Sequence, residues 1–202
     1  MLNCLLALGT GAIVGIVVGT IAVILIIAIV AWAIKTHNLF VALKNKVEES
    51  WATIDVFLKK RFDLIPNLVE TVKGYAKHES ETLRSVIEAR NIGMSANGTK
   101  EAIAAANTMS SSLQTFFQAV SEEYPQLKAN ANFLDLQNQL KSLEAELESA
   151  RRYYNGAVKQ FNTKREQFPD SIIVSRMGSE YEKKAYFEIT NPIERENVKI
   201  SF

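Results

Sequence analysis

The chain has 202 residues and a formal net charge of +1, because its 23 basic residues nearly balance its 22 acidic ones. This balance excludes a dedicated nucleic-acid binder, and the single cysteine, Cys4, excludes a disulfide framework within one subunit. Every charged residue follows Ile34, so the chain consists of an apolar start and a remainder of ordinary soluble composition.

The first predicted element is a transmembrane helix over residues 11–34. A helix needs about 20 apolar residues to cross a hydrocarbon core of roughly 30 Å, and this run exceeds that length. Gly11, Gly15 and Gly19 recur at every fourth position and so share one helix face, where a second helix could approach closely. We therefore interpret residues 1–34 as an anchor in a lipid bilayer and this face as a packing face between copies.

The flanks of the apolar run argue for retention of the anchor and for its direction. The tripeptide at 31–33 resembles a signal-peptidase site, but no basic residue precedes the run, which is longer than a signal core. Lys35, Lys44 and Lys46 follow it closely. The positive-inside rule then predicts an outer amino terminus and a cytoplasmic domain from residue 35 onward.

After Ile34 the apolar residues take helical spacing as far as Ala76. Pro66 leaves two alternatives: one long helix with a kink near Asp63, or a new helix that Asp63 caps. The stripe consists of Phe40, Leu43, Val47, Trp51, Ile54, Leu58, Ile65, Val69, Val72 and Ala76, and Phe62 can fill its one seven-residue step.

Three more apolar stripes predict three further helices. We expect Gly93 and Asn97-Gly98 to end the first of them, Thr99 to cap the second, and Tyr124-Pro125 to separate the second from the last. The inward faces are Leu83, Val86, Ile87 and Arg90; then Ile103, Ala106, Met109, Leu113, Phe116, Phe117 and Val120; then the heptad-like Phe133, Leu136, Leu140, Leu143, Leu147, Ala150, Tyr154, Val158 and Phe161.

These elements predict an all-α fold, in which an antiparallel four-helix bundle with a long first helix occupies residues 35–168. Residues 169–202 are predicted to form an irregular tail. Within it Val198, Ile200 and Phe202 alternate with polar residues, which indicates a terminal strand. This strand is either a loose end or pairs with the tail of a neighbouring subunit.

Several motifs between about Phe40 and Phe187 occur in an order that is typical of one family. They are Trp51–Val56, Lys59–Arg61, Asp63–Glu79, Tyr124–Asn130, Asn132-Phe133, Leu136-Gln137, Ala150–Val158 and Phe161-Asn162. Together they resemble the LemA family of bacterial membrane proteins. The resemblance implies a single-pass protein of the bacterial inner membrane with a short outer amino terminus, a cytoplasmic four-helix bundle and no catalytic residues. The chain departs from the common pattern at residues 175–178, where an apolar segment is usual.

Six polar residues within these motifs are candidates for interhelical hydrogen bonds that fix the register of the bundle. We favour this role over ligand binding. The residues are Asn67, Glu70, Lys73, Asn132, Gln137 and Asn162.

The sequence offers little for catalysis or metal binding. The only histidines are His37 and His78; Thr82 stands where a zinc-protease helix needs its second histidine, and Tyr75 stands where a di-iron bundle needs a glutamate. The alternating glutamates at 144–148 do not converge on one face, and we interpret them as a solvated flank. We therefore expect no enzyme activity, cofactor, metal or small-molecule substrate.

The predicted function is structural. We expect a membrane-anchored scaffolding protein that forms a homo-oligomer through its anchors and presents its helical bundle to protein partners. The alternative is a regulatory adaptor for a membrane protease or sensor system, which would bind its partner without self-assembly.

Overall fold

The structure, a computed structural model, describes residues 10–75 and 81–188. Over these residues the chain is helical and contains no β-strand, so the predicted all-α fold is confirmed, while the predicted terminal strand lies outside them. The α-helices are α1 (Thr10–Lys73), α2 (Glu81–Ser95), α3 (Thr99–Glu123), α4 (Ala131–Glu166) and the short α5 (Asp170–Val174), and 3-10 helices occupy Pro125–Ala129 and Ser179–Tyr181.

The described chain divides into two compact units. The first combines residues up to Asn45 with Phe161–Lys183, and the second combines Lys46–Gln160 with the chain from Lys184 onward. Both α1 and α4 contribute residues to both units.

The second unit is a four-helix bundle whose core follows the predicted stripes. Of the residues on those stripes, Trp51, Ile87, Arg90, Phe117 and Leu143 are only half-buried, and the others in this unit that the structure describes are buried. The largest fully buried side chains here are Ile54, Ile65, Leu68, Val72, Leu83, Val86, Met109, Phe116, Leu127 and Leu147. Helical periodicity therefore located the core correctly.

α1 is continuous through Pro66, so no new helix begins at Asp63. Proline has no N–H and cannot donate to the carbonyl four residues earlier, which belongs to Phe62. The guanidinium of Arg90 on α2 donates to that carbonyl instead, with Nε 3.0 Å from the oxygen. A side chain from the neighbouring helix thus replaces the lost backbone hydrogen bond.

Gly93 lies within α2 and does not end it, because the helix continues to Ser95. The ring of Phe62 occupies the space beside this glycine: a Cβ atom at Gly93 would lie 2.3 Å from the ring's Cζ. The glycine is therefore a packing position, since only a residue without a side chain allows α2 to approach the buried Phe62.

The start of α3 also differs from the prediction. Thr99 is the first residue inside the helix, and the N-cap is Gly98, whose φ of 87° is a left-handed conformation that favours glycine. The side chain of Glu101 reaches back and accepts a hydrogen bond from the N–H of Asn97 at 2.9 Å. A glycine turn and a first-turn carboxylate thus take the place of the expected threonine cap.

The first unit contains the apolar start of α1 and a small core of its own. Residues 11–31 are exposed on every side. Further along α1, the buried ring of Phe40 packs edge to face on Phe161 of α4, with 5.9 Å between centroids. The chain after α4 is held by polar contacts: Arg165 Nε donates to the carbonyl of Tyr181 at 2.9 Å, and Thr36 donates to Asp170 at 3.0 Å.

We predict that Gly93→Ala lowers the melting temperature of the protein, because the new methyl group overpacks against Phe62. Such overpacking costs about 1–3 kcal/mol, which exceeds the gain of up to ~1 kcal/mol that alanine offers over glycine in a helix. Gly156→Ala is the matched control, since nothing lies within 4 Å of its added Cβ atom. Thermal unfolding followed by circular dichroism should show the control melting higher than the parent protein; two upward shifts would contradict the packing argument.

Candidate functional site

The most unusual feature of the bundle is a buried charge. Arg61 on α1 is only 2% exposed. Its Nη2 atom donates to Ser110 Oγ on α3 at 3.1 Å, and its Nη1 atom lies 3.2 Å from Glu144 Oε2 on α4. Burial lowers the pKa of the Arg61 guanidinium, while the Glu144 carboxylate acts in the opposite direction. A charge removed from water in this way is tolerated only when it is paired, so this contact determines how three helices meet.

A cleft of about 500 Å³ opens above this cluster. Arg61, Ser110 and Glu144 are among the residues that line it. The others contribute apolar surface together with amide and ammonium groups. The remaining lining residues are Leu113, Gln114, Phe117, Gln137, Asn138, Leu140 and Lys141. Such a mixture suits the seating of a polar side chain or a small polar molecule.

The chemistry of the cleft favours binding over catalysis. The Ser110 hydroxyl lies 3.1 Å from the carbonyl of Ala106 and 3.3 Å from Glu144 Oε1. The Glu144 carboxylate that would have to accept its proton is already paired with Arg61 and lies 3.8 Å from Arg151. Because two guanidinium groups engage this carboxylate, we interpret its contact with the Ser110 hydroxyl as part of a structural ion-pair cluster.

Arg151 connects this charge cluster to the C-terminal segment. Its guanidinium carbon lies 4.5 Å from the ring centroid of Phe187, which is 3% exposed. The same ring faces the indole of Trp51 at 6.4 Å between centroids, and Trp51 packs edge to face on Tyr154 at 5.5 Å. Phe187 therefore sits in an aromatic and cationic slot formed by α1 and α4.

The backbone around Phe187 is held by side chains of α3 and α4. The amide of Asn155 accepts from the Phe187 N–H at 2.8 Å and donates to the Phe187 carbonyl at 3.0 Å. The hydroxyl of Tyr154 donates to the carbonyl of Ala185 at 2.9 Å, and Asn107 donates to that of Glu188 at 2.9 Å. Burial raises the pKa of the Tyr154 hydroxyl, so the hydroxyl keeps its proton and donates this hydrogen bond.

The six predicted polar residues do not gather in one place. Gln137 lines the cleft, and Asn162 is buried. Asn67, Glu70, Lys73 and Asn132 are exposed. Their proposed role in setting the register of the bundle stays a prediction.

The three consecutive basic residues of α1 differ in burial, and one interpretation of an acidic residue needs correction. Lys59 and Lys60 are exposed, whereas Arg61 is buried. Glu144 was assigned to a solvated flank, yet it is half-buried and pairs with Arg61. The signal was present, because residue 61 lies three positions after Leu58 and four before Ile65, on the buried stripe of α1.

The remaining predicted positions are the glycines of the anchor, the residues of the tail, and the cysteine and histidines. Gly11, Gly15 and Gly19 lie on an open helix face, where an added Cβ atom would meet nothing within 4 Å. Val198, Ile200, Phe202, Cys4 and His78 lie outside the described residues. Among the residues that are described, no group of three metal-ligating side chains occurs, and His37 is exposed.

These features define a class: a helical-bundle protein whose first helix begins with a segment long and apolar enough to cross a membrane, by length and composition. Residues 50–202 match the LemA family model, which covers more than half of the sequence, so the chain belongs to the LemA family. Protein LemA of Metamycoplasma hominis is 23% identical to it over 134 residues, which are 66% of this chain. The match spans 61% of that relative's length.

We predict that Glu144→Ala destabilises the bundle, because it leaves the buried Arg61 without its carboxylate. Breaking a fully buried pair costs about 3–5 kcal/mol, and the partial exposure of Glu144 reduces the expected loss to ~1–3 kcal/mol. Glu148→Ala is the matched control on the same helix, since its pair with Arg152 is exposed on both sides and should cost less than ~0.5 kcal/mol. Denaturant unfolding measures the free energy of unfolding of both variants. Equal losses of this free energy would show that the partly buried pair contributes no more than the exposed one.

Proposed function

We propose that this LemA-family chain is a single-pass membrane protein that acts as a structural scaffold. Its amino terminus lies outside the inner membrane of a bacterial cell and its bundle lies in the cytoplasm. Copies associate through their anchors, and the bundles offer binding surface to protein partners. The single observation that carries this proposal is the apolar start of α1, which no other part of the described chain covers.

This exposure distinguishes the apolar start of α1 from a core helix of a soluble protein. The most apolar window of α1 has a mean hydropathy of 3.2, and none of it is buried inside the protein. Side chains such as Ile24 and Ile27 are more than 60% exposed, at 65% and 62%. Exposed aliphatic surface of this extent is unfavourable in water and favourable in hydrocarbon. A cleaved signal sequence would meet the same criterion, and the labelling experiment below distinguishes it from a retained anchor.

A scaffold agrees with the chemistry of the bundle. The buried Arg61 contacts Ser110 and pairs with Glu144, which is a structural arrangement that ties helices together. In the membrane, helices gain no hydrophobic energy from contact with each other, so close packing along a glycine face is the natural source of association. The open face at Gly11, Gly15 and Gly19 supports that role.

A regulatory adaptor would differ from a scaffold in its assembly state, because it binds its partner without self-assembly. A monomeric mass together with a stoichiometric partner after purification would favour a regulatory adaptor over a scaffold. Crosslinking in native membranes followed by mass spectrometry identifies the neighbours in either case.

The natural cysteine tests retention and orientation of the anchor. We predict that a membrane-impermeant maleimide labels Cys4 on intact cells, because the proposed topology places it outside. In a Cys4→Ser background, the exposed position of Ser149→Cys should be labelled only after lysis. The reverse pattern would overturn the orientation, and a mature product that lacks Cys4 would show that the segment is a cleaved signal.

The glycine face tests self-assembly. We predict that replacing Gly11, Gly15 and Gly19 with leucine shrinks the detergent-solubilised assembly, since the bulk separates the helices by more than close packing allows. The matched control replaces Ile13, Val17 and Ile21 with leucine, which alters the opposite side of the same helix while keeping its apolar character. Light scattering measures the particle mass, and an unchanged mass in the glycine variant would refute association through this face.

A further inference from the structure

Phe168 is the most exposed large apolar side chain that the structure describes, with 82% of its surface accessible. Ile172 follows it at 46%. Both residues belong to the segment that follows α4: Phe168 lies in the turn before α5, and Ile172 lies within α5. We call these two exposed apolar side chains the 168/172 patch, and both lie in the first unit.

The position of this patch relative to the anchor follows from one hydrogen bond. Thr36 is buried, and its hydroxyl donates to Asp170 Oδ1 at 3.0 Å, between the two patch residues in sequence. Thr36 comes two residues after Ile34, the end of the apolar run. Thr36 is therefore about 20 Å along the helix from the middle of the apolar run at residues 11–34, since an α-helix rises 1.5 Å per residue. A hydrocarbon core of roughly 30 Å ends about 15 Å from its middle, and the headgroup zone extends several ångströms further.

The charges around the patch permit contact with lipid headgroups. The carboxylate of Asp170 is 3.5 Å from the ammonium of Lys164, which offsets its negative charge beside the bilayer. Lys35 is exposed next to the end of the run, and Trp32 is of a residue type enriched at membrane interfaces. Glu166, two residues before Phe168, likewise pairs with Lys183 at 2.9 Å. Among the described residues, the acids next to the patch in sequence are therefore paired with lysines, which suits contact with phospholipid headgroups.

We propose that the 168/172 patch inserts into the headgroup zone beside the anchor and gives the chain a second, peripheral contact with the bilayer. The partner is the phospholipid surface itself. The contact rests on the proposed function, because it requires α1 to span the membrane. It explains why a phenylalanine is held almost fully exposed while its neighbour Asp170 is tied to α1.

Fluorescence quenching in nanodiscs tests this contact on the full chain. An environment-sensitive fluorophore is attached to Phe168→Cys or to Ile172→Cys in a Cys4→Ser background. Both sites are exposed, so labelling leaves the packed core unchanged. We expect blue-shifted emission at both positions and loss of most of that emission when the lipids carry a nitroxide in the headgroup.

Ser179→Cys is the matched control, because it is an exposed site in the same unit. Its neighbour Glu180 pairs with Lys44 at 2.6 Å, and Lys44 is eight residues, or about 12 Å, further along α1 than Thr36. The label at 179 should keep its emission. Equal quenching at 168, 172 and 179 would overturn the proposal, as would no quenching at the patch positions.

A label at Ile24→Cys separates failure of this proposal from failure of the anchor. A nitroxide deep in the acyl chains should quench it if α1 spans the bilayer. Quenching at residue 24 without quenching at residues 168 and 172 would overturn the peripheral contact alone. Absence of quenching at residue 24 would overturn the transmembrane anchor, and the peripheral contact with it.

Discussion

A guanidinium removed from water must find acceptors within the protein, and Arg61 finds them on two other helices. Ser110 supplies a hydroxyl from α3 and Glu144 a carboxylate from α4, and Arg151 shares that carboxylate from one side. Arg151 in turn covers the ring of Phe187. One buried charge thereby connects three helices, and through Arg151 its cluster contacts the C-terminal segment. Apolar packing alone tolerates many such arrangements at similar energy, whereas an unpaired charge tolerates few.

The first helix belongs to two environments, and its sequence changes character accordingly. Residues 11–31 are apolar on all sides and exposed on all sides, as suits a helix in hydrocarbon. From Phe40 onward the apolar residues concentrate on one stripe, most of which is buried. The change from uniform to periodic hydropathy marks the point at which the protein begins to cover one face of the helix. The match to the LemA family model begins at residue 50, within the periodic part of the helix.

Hydropathy and helical periodicity predicted the helices and nearly the whole core, because burial of apolar side chains depends on spacing that can be counted along the chain. The same rules missed the features that depend on contacts between distant residues. Gly93 looked like a helix end, yet the ring of Phe62 determines its role. Glu144 was interpreted as part of a solvated flank, yet it pairs with Arg61, a residue of a different helix. The seat of Phe187 requires Asn155 and Trp51 together, which no local pattern shows.

The hydrogen bond from Arg90 to the carbonyl of Phe62 has a consequence for the order of events during synthesis. Pro66 leaves that carbonyl without a backbone donor, and the replacement donor is encoded 24 positions later than the proline. Synthesis proceeds from the amino terminus, so the apolar start of α1 is complete before the residues around Pro66 and before α2. The end of the same helix reaches its final hydrogen bonding only after α2 has been translated and has docked. A helix that is continuous in the folded protein is thus completed at two different times.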